Sequence, residues 1–556
     1  MSLEPNYQPD ELAIYDTETT GLSHHYDQVV QFAGIRVDRD LNIIPGSELV
    51  LDIKPRPDVI PGPIAFAITG ISMSTLLKNG LSEWEAAGKI RDWIMKPKVK
   101  TLLTGFNSQR FDDEVVRNLF FRTMIDPYEH EWKNGNSRAD ILRLVTMVFA
   151  LRPELLHWPL NHEGRFSLKL GDLCRENGIV LDHAHDARFD VMATLDLMRV
   201  VKKASPKLWN YFIGLSDKGY VTDLAHARKP IAVVNPFFPR EQGHLSIMLP
   251  IIMDTVQPKT KMWCVDLRQD PTELLSLEPE EINRRMFTSI NDLGEGEGIS
   301  SVRNIALNKQ PMICGLNIFQ GRMDVAARAG LDIERCLKHA AMIDADEGFR
   351  ARLQKAMISE FAPCEDPYEG LYSMGMIGRD EQNLRSRMRR VDKATGKPEI
   401  VTTDSYALST ESARDRLRMF TLAVRAKWTN FTDLVLQHDQ FSPSELGKWV
   451  EHLDSVWFKS SDDVPKNARN YEMYLKELAE VRATYALDPV QTKAINEMEA
   501  YVAQHLVFIE DMKQMNSNLK ENAEVEQALR TEVGMIENDR KSRDARNPET
   551  GVDFPL

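Results

Sequence analysis

Leu12-Ala13-Ile14-Tyr15-Asp16-Thr17-Glu18-Thr19-Thr20-Gly21 is an apolar run that ends in two acids and a turn. Its first four residues read as a buried strand, and Val29-Val30-Gln31-Phe32-Ala33-Gly34-Ile35-Arg36-Val37 supplies a neighbour. Side chains alternate across a strand, so Asp16 and Glu18 emerge on one face. Two carboxylates so close repel unless a proton or a cation relieves them, and hard divalent ions favour oxygen ligands. An acid-x-acid pair by itself also describes an ordinary solvated strand end, so the surrounding sequence decides.

That surrounding sequence alternates strands and helices from about residue 11 to 204. Ser82, with Glu85 three residues on, makes a capping box ahead of Trp84, Ala87, Ile90 and Ile94 at helical spacing. A third strand follows at 101–105, and helices are expected over 112–124, 139–151, 167–177 and 187–203. Such alternation predicts an α/β layer. Gly105-Phe106-Asn107-Ser108-Gln109-Arg110-Phe111-Asp112-Asp113-Glu114 sits where the third strand turns into a helix, and Asp112 opens that helix. An acid there also simply suits the helix dipole. Ala184-His185-Asp186-Ala187-Arg188-Phe189-Asp190 sets His185 just before a helix and Asp190 inside it. Alone, His185 reads equally as a capping or packed imidazole.

The chain has 556 residues, 42% of them hydrophobic and 27% charged, an ordinary globular composition long enough for about two to four domains. Lys and Arg number 69 against 83 Asp and Glu, a net charge of −14, which disfavours a general coat on DNA but not an enzyme with a local basic groove. Five scattered cysteines without a Cys-x-x-Cys pair fit a reducing cytoplasm and no zinc cluster. The amino terminus lacks a basic stretch with an apolar core, and no run of about eighteen apolar residues occurs, so neither secretion nor membrane spanning is expected. Residues 205–362 read as a small, mostly β domain with strands near 230–234, 249–252 and 263–267 and a closing helical piece at 334–355. From 363 to 513 the pattern is helical, with helices at 411–425, 444–453, 468–485 and 489–513, and 514–556 reads as a polar helical tail.

Taken in order, a strand carboxylate pair, a helix-start carboxylate and a His-x-x-x-x-Asp on a late helix resemble the DEDDh branch of the DEDD superfamily of 3′ to 5′ exonucleases. The strings Phe111-Asp112-Asp113-Glu114-Val115-x-Arg117-Asn118, Asp126-Pro127-Tyr128, Asn136-Ser137-Arg138-x-Asp140, Ala150-Leu151-Arg152-Pro153-Glu154 and Asn177-Gly178-Ile179 are similar to bacterial exonuclease I. The match weakens after about residue 370. The resemblance implies an α/β, RNase H-like exonuclease domain (1–204), an SH3-like β domain (205–362), a C-terminal helical domain (363–513) and an additional tail (514–556).

It also implies an activity: degradation of single-stranded DNA from the 3′ end by two Mg²⁺ ions, with Mn²⁺ as a substitute, releasing 5′-mononucleotides processively in DNA repair and recombination. On the family pattern Asp16 bridges both ions, Glu18 and Asp190 complete the one nearer the nucleophile, Asp112 holds the second through water, and His185 takes the proton. Glu18, Thr19, Thr20 and Leu22 would meet the terminal nucleotide; Arg117, Arg138 and Lys169 would meet phosphates, and Phe66, Phe106 and Trp158 would offer stacking surfaces. The implied partner is the acidic C-terminal peptide of single-stranded DNA-binding protein, at Arg152, Tyr211 and Lys229, although Gln320 and Asp344 depart from a basic pattern. A monomer without a membrane is expected. The competing readings are an RNA-trimming or proofreading exonuclease and a non-catalytic DNA-end scaffold, and retention of all five acid and imidazole positions favours the enzyme.

Overall fold

Strand β1 (Glu11–Thr19) lies in the middle of a five-stranded sheet ordered β3-β2-β1-β4-β5, with β2 (Val29–Val37), β3 (Leu49–Asp52), β4 (Thr101–Thr104) and β5 (Ser137–Arg138). β2 pairs antiparallel with β1, Ile14 opposite Ile35, while β4 runs parallel to it, Ala13 opposite Leu103. The computed structural model describes residues 7–180, 187–226, 228–254, 260–289, 292–294, 300–357, 370–373, 377–389 and 443–544.

Residues 12–15 are buried on both faces because helices cover both sides of the sheet. Leu12 and Ile14 pack into one layer with Val191, Leu195 and Met198 of the Ala187–Ala204 helix. Ala13 and Tyr15 pack into the other, with Ala86, Ala87 and Ile90 of the Glu83–Ile94 helix and Val116, Leu119 and Phe120 of the Asp112–Arg122 helix. The Ser82–Glu85 capping box starts the Glu83–Ile94 helix as expected. Gly34 in β2 is required, since a Cβ there would stand 2.6 Å from the Trp93 ring. Next to it, the fully buried Arg36 guanidinium donates to Glu11 at 2.7 Å, to the Trp93 carbonyl at 2.7 Å and to the Thr101 hydroxyl at 2.6 Å.

A second five-stranded sheet, all antiparallel, is ordered β10-β6-β7-β8-β9, with β6 (Ile231–Val234), β7 (Leu245–Met253), β8 (Lys261–Asp266), β9 (Val302–Ala306) and β10 (Met312–Gly315). Pro250 in the middle of β7 has no N–H to give a ladder, and the register shifts between Pro250 and Ile252. The single helical piece expected at 334–355 is two helices, Ile333–Ala345 and Phe349–Ala356. The break falls where Asp346 Oδ1 accepts the N–H groups of Gly348 and Phe349, at 3.0 and 2.9 Å, and so caps the second helix.

The chain divides into two compact units: Met1–Lys54 with Lys78–Phe420, which holds both sheets, and Pro55–Leu77 with Thr421–Leu556. In the second unit the excursion Pro55–Leu77 joins the helices Pro443–Phe458, Tyr471–Thr484 and Pro489–Asp544. The Pro57 carbonyl accepts Trp457 Nε1 at 2.9 Å and lies 2.7 Å from His505 Nε2, and the Trp457 and His505 rings stack at 4.6 Å. The last helix runs unbroken through residue 514, where the sequence pattern turns polar. The helix expected at 411–425 lies outside the described residues. Four cysteines, Cys174, Cys264, Cys314 and Cys336, are buried free thiols, and Cys364 is outside the described residues. Among the described residues no helix is long and apolar enough to cross a membrane.

The buried Arg36 network generates a stability prediction. Arg36→Ala removes three hydrogen bonds and leaves the Glu11 carboxylate short of a partner, so urea unfolding should show a loss of about 3 kcal/mol, with Arg36→Met losing less. A loss under about 1 kcal/mol for the alanine variant would show that the network contributes no more than a surface pair.

Candidate active site

β1 outruns its parallel neighbour. Its pairing with β4 ends at Ile14 opposite Thr104, so residues 15–19 project past the end of β4, on the side where open α/β sheets leave a crevice. Alternation decides what the overhang presents. Asp16 and Glu18 follow Leu12 and Ile14 toward the layer of the Ala187–Ala204 helix, whereas Thr17 follows Ala13 and Tyr15 toward the layer of the Asp112–Arg122 helix.

Asp190, in the first turn of the Ala187–Ala204 helix, meets the first pair: carboxylate oxygens of Asp16, Glu18 and Asp190 lie within 4.8 Å of one another, each residue half-buried. At that separation two unit charges repel by about 3 kcal/mol at an effective dielectric constant of about 20. A divalent cation relieves that repulsion, and a set that among the described residues consists of carboxylate oxygens suits a hard ion.

Asp112 stands apart from this trio and is tied to the strand at Thr17. Its Oδ1 accepts the Thr17 main-chain N–H at 3.0 Å and the Thr17 hydroxyl at 2.6 Å, at a point beyond the reach of β4. Burial pushes the Asp112 carboxyl up to about 7, against the pull of the Thr17 hydrogen bonds. Next door Asp113 accepts the Tyr15 hydroxyl at 2.5 Å and Arg138 at 2.8 Å, which fixes the start of the helix against β1 and β5. Gly105 lets the turn after β4 pass this close, because a Cβ there would stand 2.5 Å from the Tyr15 carbonyl. Tyr15, Thr17 and Asp113 are thus positioning groups that the motif reading misses. The signal for Tyr15 and Thr17 is the same alternation that pairs Asp16 with Glu18, read for the odd-numbered residues of β1.

His185 lies outside the described residues. Thr19 and Thr20 hold the turn after β1: Thr19 donates to the Gly21 carbonyl at 2.6 Å, and Thr20 donates to Asp27 at 2.8 Å. Asp27 also accepts the Ser23 N–H at 2.9 Å, and this braced turn leaves Leu22 85% exposed. Lys169 is exposed at the N-cap of the Leu170–Glu176 helix.

Arg117 and Arg138, expected to meet phosphates, are instead buried at 4% and 5% exposure. Arg117 pairs with Glu114 and Glu131, and Arg138 with Asp113 and Glu131, so acids from within the same domain take up both guanidiniums. Glu114 also meets Lys309, and although burial alone would raise it, Arg117 and Lys309 hold its carboxyl at about 2. Of the expected stacking surfaces, one is corrected. Phe66 is buried at 1% exposure. Trp158 is half-buried, edge-on to Phe149 at 4.9 Å with Nε1 donating to the Pro153 carbonyl, and Phe106 packs against the core.

Of the residues assigned to a partner peptide, Arg152 is exposed and pairs with Glu154 at 2.8 Å, a carboxylate it shares with Arg322 at 3.3 Å. Tyr211 donates to the Ile313 carbonyl at 2.8 Å, and Lys229, Gln320 and Asp344 are exposed.

Two family models match the chain, the exonuclease family over residues 13–198 and the exonuclease I SH3-like domain over 217–358. Exodeoxyribonuclease I of Escherichia coli (strain K12) is 32% identical over 470 residues, 83% of this chain and 96% of that protein. Its counterpart in Haemophilus influenzae is 33% identical, over 67% of this chain and 78% of its own length. Among solved structures, exonuclease I from Methylocaldum szegediense superposes with a TM-score of 0.77 at 29% identity, over 89% of this chain and 99% of that one. E. coli exonuclease I in complex with a dA16 oligonucleotide superposes with a TM-score of 0.76 at 27% identity and the same coverage.

The carboxylate trio predicts a cation response that needs no substrate. Mg²⁺ or Mn²⁺ should raise the thermal unfolding midpoint of the full chain by several degrees, and Asp190→Asn should remove most of that rise without lowering the metal-free midpoint. An unchanged cation response in the variant would exclude the trio as the site.

Proposed function

The chain belongs to the exodeoxyribonuclease I family, and on that footing we propose that it degrades single-stranded DNA from the 3′ end by Mg²⁺-dependent hydrolysis, releasing 5′-mononucleotides in DNA repair and recombination. The observation that carries this reading is the convergence of Asp16, Glu18 and Asp190 at the overhanging end of β1. Two Mg²⁺ ions held by Asp16, Glu18, Asp190 and Asp112 would polarise the scissile phosphate and make a water acidic enough to attack it.

The chain's own side chains do the rest. His185 precedes the helix that carries Asp190 by two residues and takes the proton of the attacking water, a task that an imidazole titrating near neutrality suits. The Asp27-braced turn offers Leu22 as an apolar wedge against the terminal base, which supports opening of the last step of the strand. Lys169, exposed at a helix start, meets a phosphate. Thr17 and Asp113 keep the Asp112 helix in place while nucleotides pass. The two sheets in one compact unit support a continuous track for the strand and hence processive action.

The acidic C-terminal peptide of single-stranded DNA-binding protein docks at Arg152, Tyr211 and Lys229. Because Arg152 and Arg322 already share Glu154, a peptide carboxylate has to displace that acid, and Gln320 and Asp344 add no positive charge. The protein acts as a cytoplasmic monomer.

Time-resolved digestion of 3′- and 5′-labelled single strands in Mg²⁺, beside duplex, RNA and chelator controls, tests polarity, strandedness and cofactor together. Mononucleotides should appear first from the 3′ end of DNA. Asp16→Ala should lower the rate by at least about a hundredfold, and His185→Ala by a factor of about 10² to 10⁴. Preference for RNA, or an Asp16→Ala variant with unchanged Mg²⁺-dependent release, would overturn the reading.

A further inference from the structure

The turn between β6 and β7 carries an aromatic ring that its own core does not use. Phe237 is 55% exposed, whereas its neighbour Phe238 packs against the core. The position of Phe237 is set by its backbone: Asn235 Oδ1 accepts the Phe237 N–H at 3.0 Å, and the Asn235 carbonyl accepts the Phe238 N–H at 3.0 Å. One face of the ring is covered by a cation, the Arg110 guanidinium, 4.6 Å from the ring centroid. Arg110 is exposed and stands two residues before Asp112, in the turn that leads from β4 into the Asp112–Arg122 helix. An aromatic of the second sheet is therefore held beside the turn that delivers a candidate catalytic acid.

The same β6–β7 turn makes a second junction of this kind. Arg240, also exposed, donates to the Phe166 carbonyl at 3.1 Å, and Phe166 is 46% exposed while lying edge-on to Phe149 at 5.3 Å. Exposed rings interleaved with guanidiniums match the two things every single strand presents, flat apolar bases and a chain of phosphates, without any demand on sequence. In a protein with a net charge of −14, such local cations are what a polyanion would bind.

We propose that Phe237, backed by Arg110, is a stacking platform for a base of the incoming single strand beside the turn that delivers Asp112, with Arg110 and Arg240 meeting the flanking phosphates. This rests on the reading of the chain as a single-strand exonuclease. The alternative is that the Arg110–Phe237 contact only pins the second sheet to the first.

The two roles separate in a cycle with the full chain and defined oligonucleotides. Initial rates are measured on an oligo(dT) strand and on the same strand with abasic sites scanned through the nucleotides upstream of the 3′ end. Phe237→Ala should raise KM for the intact strand by at least about fivefold with kcat within about twofold of wild type, and the abasic penalty seen at one position in the wild type should vanish. Phe237→Tyr should restore both. Arg110→Ala should raise KM and flatten its salt dependence by about one counterion. As a readout free of turnover, Phe237→Trp should show indole fluorescence quenched by oligo(dT) in the presence of a chelator. Unchanged KM and an intact abasic penalty in Phe237→Ala, a fall in kcat alone, or an unquenched Trp while the labelled strand binds by anisotropy would each overturn the platform. Wild-type protein that neither binds nor degrades any single strand would overturn the exonuclease reading, and the platform with it.

Discussion

Three carboxylates held within 4.8 Å of one another repel, and the first sheet is built so that they are held there all the same. β1 runs on past the end of β4, and its alternation sends Asp16 and Glu18 to the layer from which the Ala187–Ala204 helix brings Asp190. The opposite alternation sends Tyr15 and Thr17 to the layer of the Asp112–Arg122 helix, where they hold Asp113 and Asp112. One strand end thus orders two acidic helix starts at once. A divalent cation held by the three carboxylates would offset that repulsion.

Much of this is legible in the chain. The β1 apolar run, the Ser82–Glu85 capping box and the acid at the start of the Asp112–Arg122 helix follow from period and capping chemistry, which are local. The placement of Asp16, Glu18 and Asp190 together follows from alternation plus one long-range match, and only the motif order supplies that match. The fate of Arg117 and Arg138 is not legible, because the acids that bury them, Asp113 and Glu131 among them, come from segments whose proximity depends on tertiary packing. Phe66 misleads for the same reason: the excursion Pro55–Leu77 leaves the first sheet between β3 and the Glu83–Ile94 helix and joins the C-terminal helices, and no periodicity in a short segment announces its partners.

The charge pattern has a functional side. The domain keeps its deeply buried cations for itself, in the Arg36, Arg117 and Arg138 networks, where each carries two or more hydrogen bonds or ion pairs. Among the described residues, the exposed cations open to a polyanion include Arg110, Arg240 and Lys169, at turns and a helix start. Those positions lie on the β4–helix turn, the β6–β7 turn and the start of the Leu170–Glu176 helix, all within the unit that contains both sheets.

The central claim is that the end of β1 is a cation site. Crystals grown with Mn²⁺ and measured for anomalous scattering test it most directly. The arrangement predicts a strong peak at about 2.2 Å from carboxylate oxygens of Asp16, Glu18 and Asp190. A map with no peak there, or with its peaks only at other acids, would contradict it.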